Sequence, residues 1–119
     1  HIGFCPAKID DALNYIPSRI AGMFVVISAF IIGLDGKNSF NVMKRDASKC
    51  PSPNSGYTMA STAGALNIQL NKKDTYILGD SNKEIIADDI SKAVNLSKLS
   101  IVLFTITIIV LFTLVYVIL

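Results

Sequence analysis

KRDASKCPSPNSGYTMASTAGALNIQL, from Lys44 to Leu70, is the stretch around which the rest of the chain is arranged. Its PSPNSG sequence, from Pro51 to Gly56, breaks any preceding helix and has the composition of a tight turn. A second helix beginning near Thr58 would leave free backbone N–H groups beside this turn, an arrangement that suits a phosphate or a carboxylate. An ordinary connection between two helices is the simpler interpretation of the same residues.

The residues before the turn predict a helix that begins with Asn38 or Ser39 as its cap and runs to about Lys49. Four apolar residues recur at helical spacing on one face: Phe40, Met43, Ala47 and Cys50. Arg45 and Asp46 are adjacent and do not face each other on a helix, so we expect them to serve two different partners. The planar guanidinium of Arg45 suits an anion, although a solvated helix face explains such charges more often.

The residues after the turn predict a second helix whose apolar stripe can be listed as Met59, Ala63, Leu66 and Leu70. Ala60 and Gly64 form a small-residue pair that would let another helix, or a flat ligand, approach the backbone closely. We expect a polar loop from Asn71 to Glu84, and then a helix capped by Asp88 or Asp89.

The composition indicates an integral membrane protein. Hydrophobic residues make up 51% of the chain and charged residues 17%, and the mean hydropathy is +0.50. The net charge of +2 is too small to indicate a nucleic-acid partner, and no aromatic-basic patch is present. Cys5 and Cys50 lack metal-ligand spacing and His1 is the single histidine, so we expect no metal site built from them.

Two apolar segments are candidates for membrane helices. Ile101 to Leu119 has no charge, glycine or proline and has the length of a span, and we expect it to continue a helix from about Asp89. Ile20 to Leu34 would be roughly 22 Å long, short of the ~30 Å hydrocarbon core. Starting the segment at Ile16 completes a span, and a re-entrant helix is the alternative.

A short helix is predicted from Pro6 to Tyr15, with a kink or break at Pro17. Asn14 lies beside that break and is either a functional residue or a donor to freed backbone groups. Arg19 is either an anchor at the membrane interface or a ligand for an anion.

The fold class predicted from these patterns is all-α, a single domain over residues 1–119 of an integral membrane protein. Its parts are an apolar helix at 16–34, a loop region at 35–99 and a transmembrane helix at 101–119. The loop region carries nine of the eleven Lys and Arg residues, which places it in the cytoplasm by the positive-inside rule. Because the chain does not begin with methionine, we expect it to be the C-terminal part of a longer protein.

Two stretches together resemble one known family. IDDALNYIPSRI, at Ile9 to Ile20, and RDASKCPSPNSG followed by AGALNIQL, between Arg45 and Leu70, are similar to the two signature motifs of the adenosylcobinamide-phosphate synthases. These are integral membrane proteins of cobalamin biosynthesis. The pair of motifs, in this order and at a similar separation, is more specific than either motif alone.

The resemblance implies an enzyme that forms an amide bond between a corrinoid, cobyric acid, and aminopropanol or its phosphate, to give a cobinamide. Activation of the carboxylate implies ATP and Mg²⁺. The resemblance also implies a multi-pass protein of the cell membrane, in contact with lipid and with membrane helices that precede this region.

The residues that match the motifs are candidates for the site. Asp11 and Asp46 are the candidate catalytic groups, as a base or beside a metal ion. The candidate substrate-binding residues are Asn14, Arg19, Arg45, Ser52, Asn54 and Gly56. Asp10 also matches the motif. Arg19 and Arg45 are expected to bind anions, and the turn from Ser52 to Gly56 to bind phosphate.

The chain departs from the family pattern at four places, one of which is the loop from Tyr76 to Asp88, which looks shortened. Cys50 stands where the family usually has histidine, Met59 stands where it usually has glutamate, and Asn71-Lys72 replaces a common Gly-Gly. An active enzyme is the first interpretation. The alternatives are a non-catalytic corrinoid-binding or scaffolding homologue, and a membrane subunit whose loop packs against another protein.

Overall fold

The computed structural model describes residues 3–119. Four α-helices and one β-hairpin follow each other along the chain. They are α1 (Phe4–Ile31), α2 (Gly36–Asp46), a 3-10 turn (Ala47–Lys49), α3 (Gly56–Leu66), β1 (Gln69–Lys72), β2 (Tyr76–Gly79) and α4 (Ala87–Ile118).

The first helix is continuous, so the prediction of a short helix ending at a break is wrong. Pro17 lies inside α1, which runs from Phe4 to Ile31. Proline removes one backbone donor, but side chains bond other carbonyls of the same turns. Asn54 Nδ2 donates to the carbonyl of Asp11 at 2.8 Å, and Arg19 Nη1 donates to the carbonyl of Tyr15 at 2.6 Å. Side chains thus contact the backbone of the continuous helix on both sides of the proline.

The second and third helices are each longer at the N-terminal end than predicted. Asp35, not Asn38 or Ser39, caps α2, because its carboxylate accepts the Asn38 N–H at 2.9 Å. α3 begins at Gly56, two residues before Thr58, and ends at a left-handed Asn67 with φ of 56°. The amide N–H of Asn67 bonds the carbonyls of the last helical turn, which is a common way to end a helix.

The close packing predicted for the small-residue pair is confirmed. A Cβ added at Gly64 would lie 2.6 Å from the carbonyl oxygen of Asn38, so α2 touches the backbone of α3 at this point. Ala60 is fully buried in a cluster with Val42 and with Val26 of α1. The core therefore lies where α1, α2 and α3 meet.

The hairpin corrects both the predicted all-α class and the predicted loop from Asn71 to Glu84. β1 and β2 are antiparallel, and Leu70 pairs with Leu78. Leu78 is fully buried, so burial of an apolar side chain accompanies the pairing. The Tyr76-Ile77-Leu78 sequence is a typical strand signal. The prediction missed this strand because it has only three apolar residues and lies within a polar segment.

The last helix is a single element, as predicted from its hydropathy. Asp89 is its third residue, not its cap, and its carboxylate accepts the Ile86 N–H at 3.0 Å. α4 packs on α1 through Phe24 and Phe104, whose ring centroids are 5.8 Å apart. Two helices, Cys5–Ile31 and Ala87–Ile118, are long and apolar enough to cross a membrane.

Candidate functional site

Residues 50–55, which connect the 3-10 turn to α3 and are called the turn below, pack against the first half of α1. Asn54 lies at the centre of this contact. Its Nδ2 donates to the carbonyl of Asp11 at 2.8 Å. Its Oδ1 lies 3.3 Å from the Ser18 hydroxyl and 3.5 Å from Arg19 Nη1. The two stretches that carry the family resemblance therefore meet through one asparagine side chain.

A cleft of about 380 Å³ opens where α1 and this turn meet. Its polar lining consists of Asp10, Asp11, Asn14 and Ser18 from α1, and Ser52, Asn54 and Ser55 from the turn. Two carboxylates thus face hydroxyl and amide groups across a small opening. Such a set can accept protons, attract a cation and donate hydrogen bonds to a polar ligand.

The two carboxylates of the cleft have different partners. Asp10 accepts a hydrogen bond from Asn14 Nδ2 at 3.1 Å, and the same amide reaches the Asp10 carbonyl at 3.0 Å. Ser52 Oγ lies 3.5 Å from Asp11 Oδ1, a long contact that leaves this carboxylate available to a ligand. Asp11 is half-buried beside the turn and Asp10 is exposed. Asp11 is therefore the better placed of the two to act on a bound group.

Arg19 is held beside the cleft and reaches it through Asn54. Its guanidinium carbon lies 3.5 Å from the centroid of the Tyr15 ring and 4.5 Å from that of the Tyr57 ring. Stacking of this kind is favourable for a planar cation. The Tyr15 contact, four residues away on one helix, could have been found in the sequence. The Tyr57 contact depends on the tertiary fold.

Arg45 and Asp46 pair with each other, which their adjacent places on a helix did not predict, and each also has a different partner of its own. Arg45 Nε donates to Asp46 Oδ1 at 2.9 Å, and Nη2 donates to Oδ2 at 2.8 Å. Helix α2 ends at Asp46, and the backbone then changes to a 3-10 turn. This change lets a long side chain turn back onto its neighbour.

Asp46 joins the end of α2 to the hairpin. The carboxylate has no exposed surface, and it also accepts from Lys49 Nζ at 2.7 Å and from the Gly79 N–H at 2.8 Å. The hydrogen bond from Arg45 holds the pKa of the Asp46 carboxyl well below its usual range, against the opposing effect of burial. The same bond raises the pKa of Arg45.

Arg45 also donates Nη1 to Asp80 at 3.1 Å, so all of the donor nitrogens of its guanidinium have a protein acceptor. Neither Arg45 nor Asp46 lines the cleft. The structure thus separates these two residues from the other predicted site residues and brings Asp11, Asn14, Ser52 and Asn54 together.

Gly56 and two of the departures from the family pattern, Cys50 and Met59, lie outside the cleft. A Cβ at Gly56 would lie 1.8 Å from the carbonyl oxygen of Ala47, so glycine permits the approach of α3 to the 3-10 turn. Cys50 is buried, and neither Cys50 nor Met59 lines the cleft. Within residues 3–119, the structure has no group of three or more His, Cys, Asp or Glu residues that could hold a metal ion.

Comparison with known proteins gives the family. Residues 1–98 match the family described as CobD/Cbib protein, and the chain belongs to this family. A probable cobalamin biosynthesis protein CobD from Methanothermobacter thermautotrophicus is 49% identical over 104 residues, which cover 87% of this chain and 35% of that protein.

Two further relatives give the same result. The cobalamin biosynthesis protein CobD of Leptospira interrogans serovar copenhageni is 42% identical, over 85% of this chain and 35% of its own length. A probable cobalamin biosynthesis protein CobD from Methanocaldococcus jannaschii is 44% identical, over 81% of this chain and 30% of its own length. The chain therefore spans about a third of the relatives it matches. No solved structure matches it.

Proposed function

We propose that this chain belongs to a membrane enzyme of cobalamin biosynthesis that joins cobyric acid to aminopropanol, or to its phosphate, through an amide bond. The observation that supports it best is the contact between the two motif stretches, which form one polar cleft around Asn54. The names of the relatives support the pathway. The particular reaction follows from the family resemblance.

The cleft offers the groups that amide formation needs. An amine attacks an activated carboxyl group only as the free base, and the attack displaces the activating group as the C–N bond forms. A nearby carboxylate that accepts the proton of the amine therefore assists the reaction. Asp11 is the proposed base, because its Oδ1 lies in the cleft with one long contact to Ser52. Asn14 and Ser52 are the proposed donors to the polar groups of the substrates.

The carboxylates of the cleft fit an Mg²⁺ ion that is bound together with the phosphates of ATP. Mg²⁺ commonly binds through one or two carboxylates together with substrate phosphates, and Asp10 and Asp11 lie at the same cleft. We propose Asp10 as the residue that would hold the ion beside a nucleotide, which leaves Asp11 available to act as the base. When bound, the nucleotide would activate the carboxylate of the corrinoid.

The second candidate function is a non-catalytic corrinoid-binding or scaffolding homologue. It is favoured by Cys50 and Met59, which replace residues that could act as acid or base in the related family. Against it, both residues lie outside the cleft, whereas the aspartates of the cleft are present. We therefore place the enzyme first.

The test is amide formation by the purified full-length protein in detergent, with cobyric acid, ATP, Mg²⁺ and either aminopropanol or its phosphate. Asp11→Asn should lower the rate by about 10²–10⁴-fold, the usual contribution of a general base. Asp74→Asn, in the hairpin turn, is the matched control and should leave the rate unchanged. Corrinoid binding without any product in the wild-type protein would support the non-catalytic homologue instead.

We further propose that α4 crosses the cell membrane and contacts lipid, that residues 35–99 lie in the cytoplasm, and that the first half of α1, which contacts this region at Asn54, lies on the same side. The support is the length and hydropathy of α4 together with the Lys and Arg content of residues 35–99. The membrane helices implied upstream of this region would be further partners.

A further inference from the structure

We infer that Arg19 is a positioning residue, held between the rings of Tyr15 and Tyr57, that fixes the side chain of Asn54 and thereby the wall of the cleft. This inference rests on the proposed function for its kinetic consequences, but its structural part can be tested separately. It assigns Arg19 an action through Asn54, where the sequence had predicted direct contact with an anion.

The first step is the way in which Arg19 is held. Its guanidinium stacks on one ring from its own helix and on a second ring from the first turn of α3. Nη1 donates to the Tyr15 carbonyl at 2.6 Å, and its contact with Asn54 Oδ1 is long, at 3.5 Å. Because Nε and Nη2 have no recorded acceptor among residues 3–119, the aromatic rings supply a large share of the restraint.

The second step is what Arg19 does to Asn54. A primary amide can rotate by half a turn and exchange its oxygen for its nitrogen with little change in shape. Here Oδ1 faces two donors, Ser18 Oγ and Arg19 Nη1, while Nδ2 faces the carbonyl of Asp11. A rotated amide would point its NH₂ group at a cation. Arg19 therefore selects the orientation in which Asn54 bonds α1.

The third step is the effect on the cleft. Asn54 and Ser52 belong to the same turn, and the Asn54 N–H lies 3.3 Å from Ser52 Oγ. Ser52 in turn faces the carboxylate of Asp11. If Asn54 loses its orientation, the turn is released from α1 and the groups that face Asp11 move with it. Arg19 would thus affect catalysis without touching the substrate.

The experiment compares four single variants of the full-length protein in detergent: Arg19→Lys, Tyr57→Leu, Tyr57→Phe and Lys44→Gln. Lys44 is the matched control, since its Nζ lies 5.2 Å from the Phe40 ring centroid and makes the same kind of contact away from the turn. Hydrogen exchange of a peptide covering residues 51–57 is measured by mass spectrometry without substrate. Amide formation is measured on the same samples.

We expect two of the variants to raise exchange of this peptide by about 3- to 30-fold, the range that corresponds to loss of a cation–π contact. Tyr57→Leu removes one ring, and Arg19→Lys keeps the charge but loses the planar stacking of the guanidinium. Tyr57→Phe keeps the ring and should leave the exchange rate of this peptide at the wild-type value. Lys44→Gln should leave it unchanged as well. Equal exchange in all four variants, or free exchange of the turn in the wild-type protein, would overturn the inference.

A double-mutant comparison then separates positioning from substrate contact. Arg19→Lys should lower kcat/KM about tenfold in the wild-type background but change it little when Asn54→Ala is already present. The same tenfold loss in both backgrounds would show that Arg19 acts independently of Asn54, and would overturn the inference. If the wild-type protein forms no amide at all, the proposed function fails, while the exchange comparison still decides whether the rings hold Arg19.

Discussion

Asp46 is a charged residue whose side chain has no exposed surface. Three donors from three parts of the chain compensate for the burial of its carboxylate. Arg45 belongs to the end of α2, Lys49 to the 3-10 turn and Gly79 to the end of the hairpin. A buried carboxylate is costly unless it is paired and hydrogen-bonded, and here both oxygens are satisfied. The carboxylate thus connects α2, the 3-10 turn and the hairpin through hydrogen bonds and ion pairs.

Asp46→Asn is expected to lower the free energy of unfolding by about 1–3 kcal/mol, because the amide can accept the Gly79 N–H but turns donors toward the two cations. Thermal unfolding of the purified protein in detergent measures the loss. Asp74→Asn is the control for removal of an exposed carboxylate and should leave the midpoint unchanged. An unaltered midpoint in Asp46→Asn would show that Asp46 contributes no net stability.

The same residue predicts a pH dependence. The pKa of Asp46 is lowered in the folded protein, so its stabilising contribution is complete above the ordinary carboxyl pKa of about 4 and is lost as pH falls below that value. The difference in melting temperature between wild type and Asp46→Asn should therefore stay constant from about pH 8 to pH 5 and shrink toward about pH 3. A difference that grew on acidification would contradict the lowered pKa.

Gly56→Ala is expected to destabilise the protein by about 1–3 kcal/mol or more, because the added methyl group would meet the backbone of Ala47 and not a movable side chain. Gly3→Ala is the matched control, since a Cβ at Gly3 meets nothing within 4 Å. Thermal unfolding of the two variants should differ clearly. Equal midpoints would mean that the 3-10 turn moves aside without cost.

At the scale of elements, α1 packs both on the pair formed by α2 and α3 and on α4. One face of this helix packs with α2 and α3 through Val26. A second face, with Val25 and Ala29, packs on Leu96 of α4 and Ala65 of α3. At the crossing with α4, the hydroxyls of Ser28 and Ser100 lie 3.1 Å apart and are buried. Small polar residues at a helix crossing permit close approach and supply a hydrogen bond.

Ser28→Leu is therefore expected to separate α1 from α4 and to cost about 1–3 kcal/mol through overpacking. Ser91→Leu, at an exposed position of α4, adds the same side chain outside the crossing and serves as the control. Near-ultraviolet circular dichroism and thermal unfolding measure the effect. If both variants unfold at the wild-type temperature, the crossing is loose enough to accept a larger side chain.

At the scale of the whole molecule, the exposed apolar surface indicates a membrane environment. From Ile101 to the end of α4 most side chains are exposed, and many are large and apolar. Exposed apolar surface of this extent is unfavourable in water and favourable in lipid. The polar cleft and the hairpin belong to the remaining part of the chain, which carries most of the Lys and Arg residues.

The protein is therefore expected to stay in the membrane pellet after alkaline carbonate extraction, and its hairpin to face the cytoplasm. Lys73→Cys, in a full-length protein whose other cysteines, including Cys5 and Cys50, are replaced, should react with a membrane-impermeant maleimide only after inside-out vesicles are prepared. A cysteine that replaces Leu119 is the comparison on the other side. Release by carbonate would contradict the membrane assignment, and labelling of position 73 in intact cells would reverse the orientation.

Patterns that repeat along a helix could be predicted from the sequence. The single long C-terminal helix, the buried face that includes Met43 and Ala47, and the close packing at Gly64 depend on periodicity and residue size. The two motif stretches also directed attention to Asp11, Asn14, Ser52 and Asn54, which the structure brings to one cleft. These features could be predicted because helical periodicity and residue size are properties of the residues within one element.

Contacts between distant residues were decided by the tertiary structure. The helix continues through Pro17 while Asn54 and Arg19 bond carbonyls of nearby turns, and the hairpin places Leu78 in the core. Arg45, which was predicted to bind a ligand, pairs with Asp46 at the point where α2 ends and the 3-10 turn begins. The N–H of Gly79 in the hairpin bonds the same carboxylate. Sequence spacing determines which residues share a face, but the energy of burying a charge or a strand depends on what lies opposite.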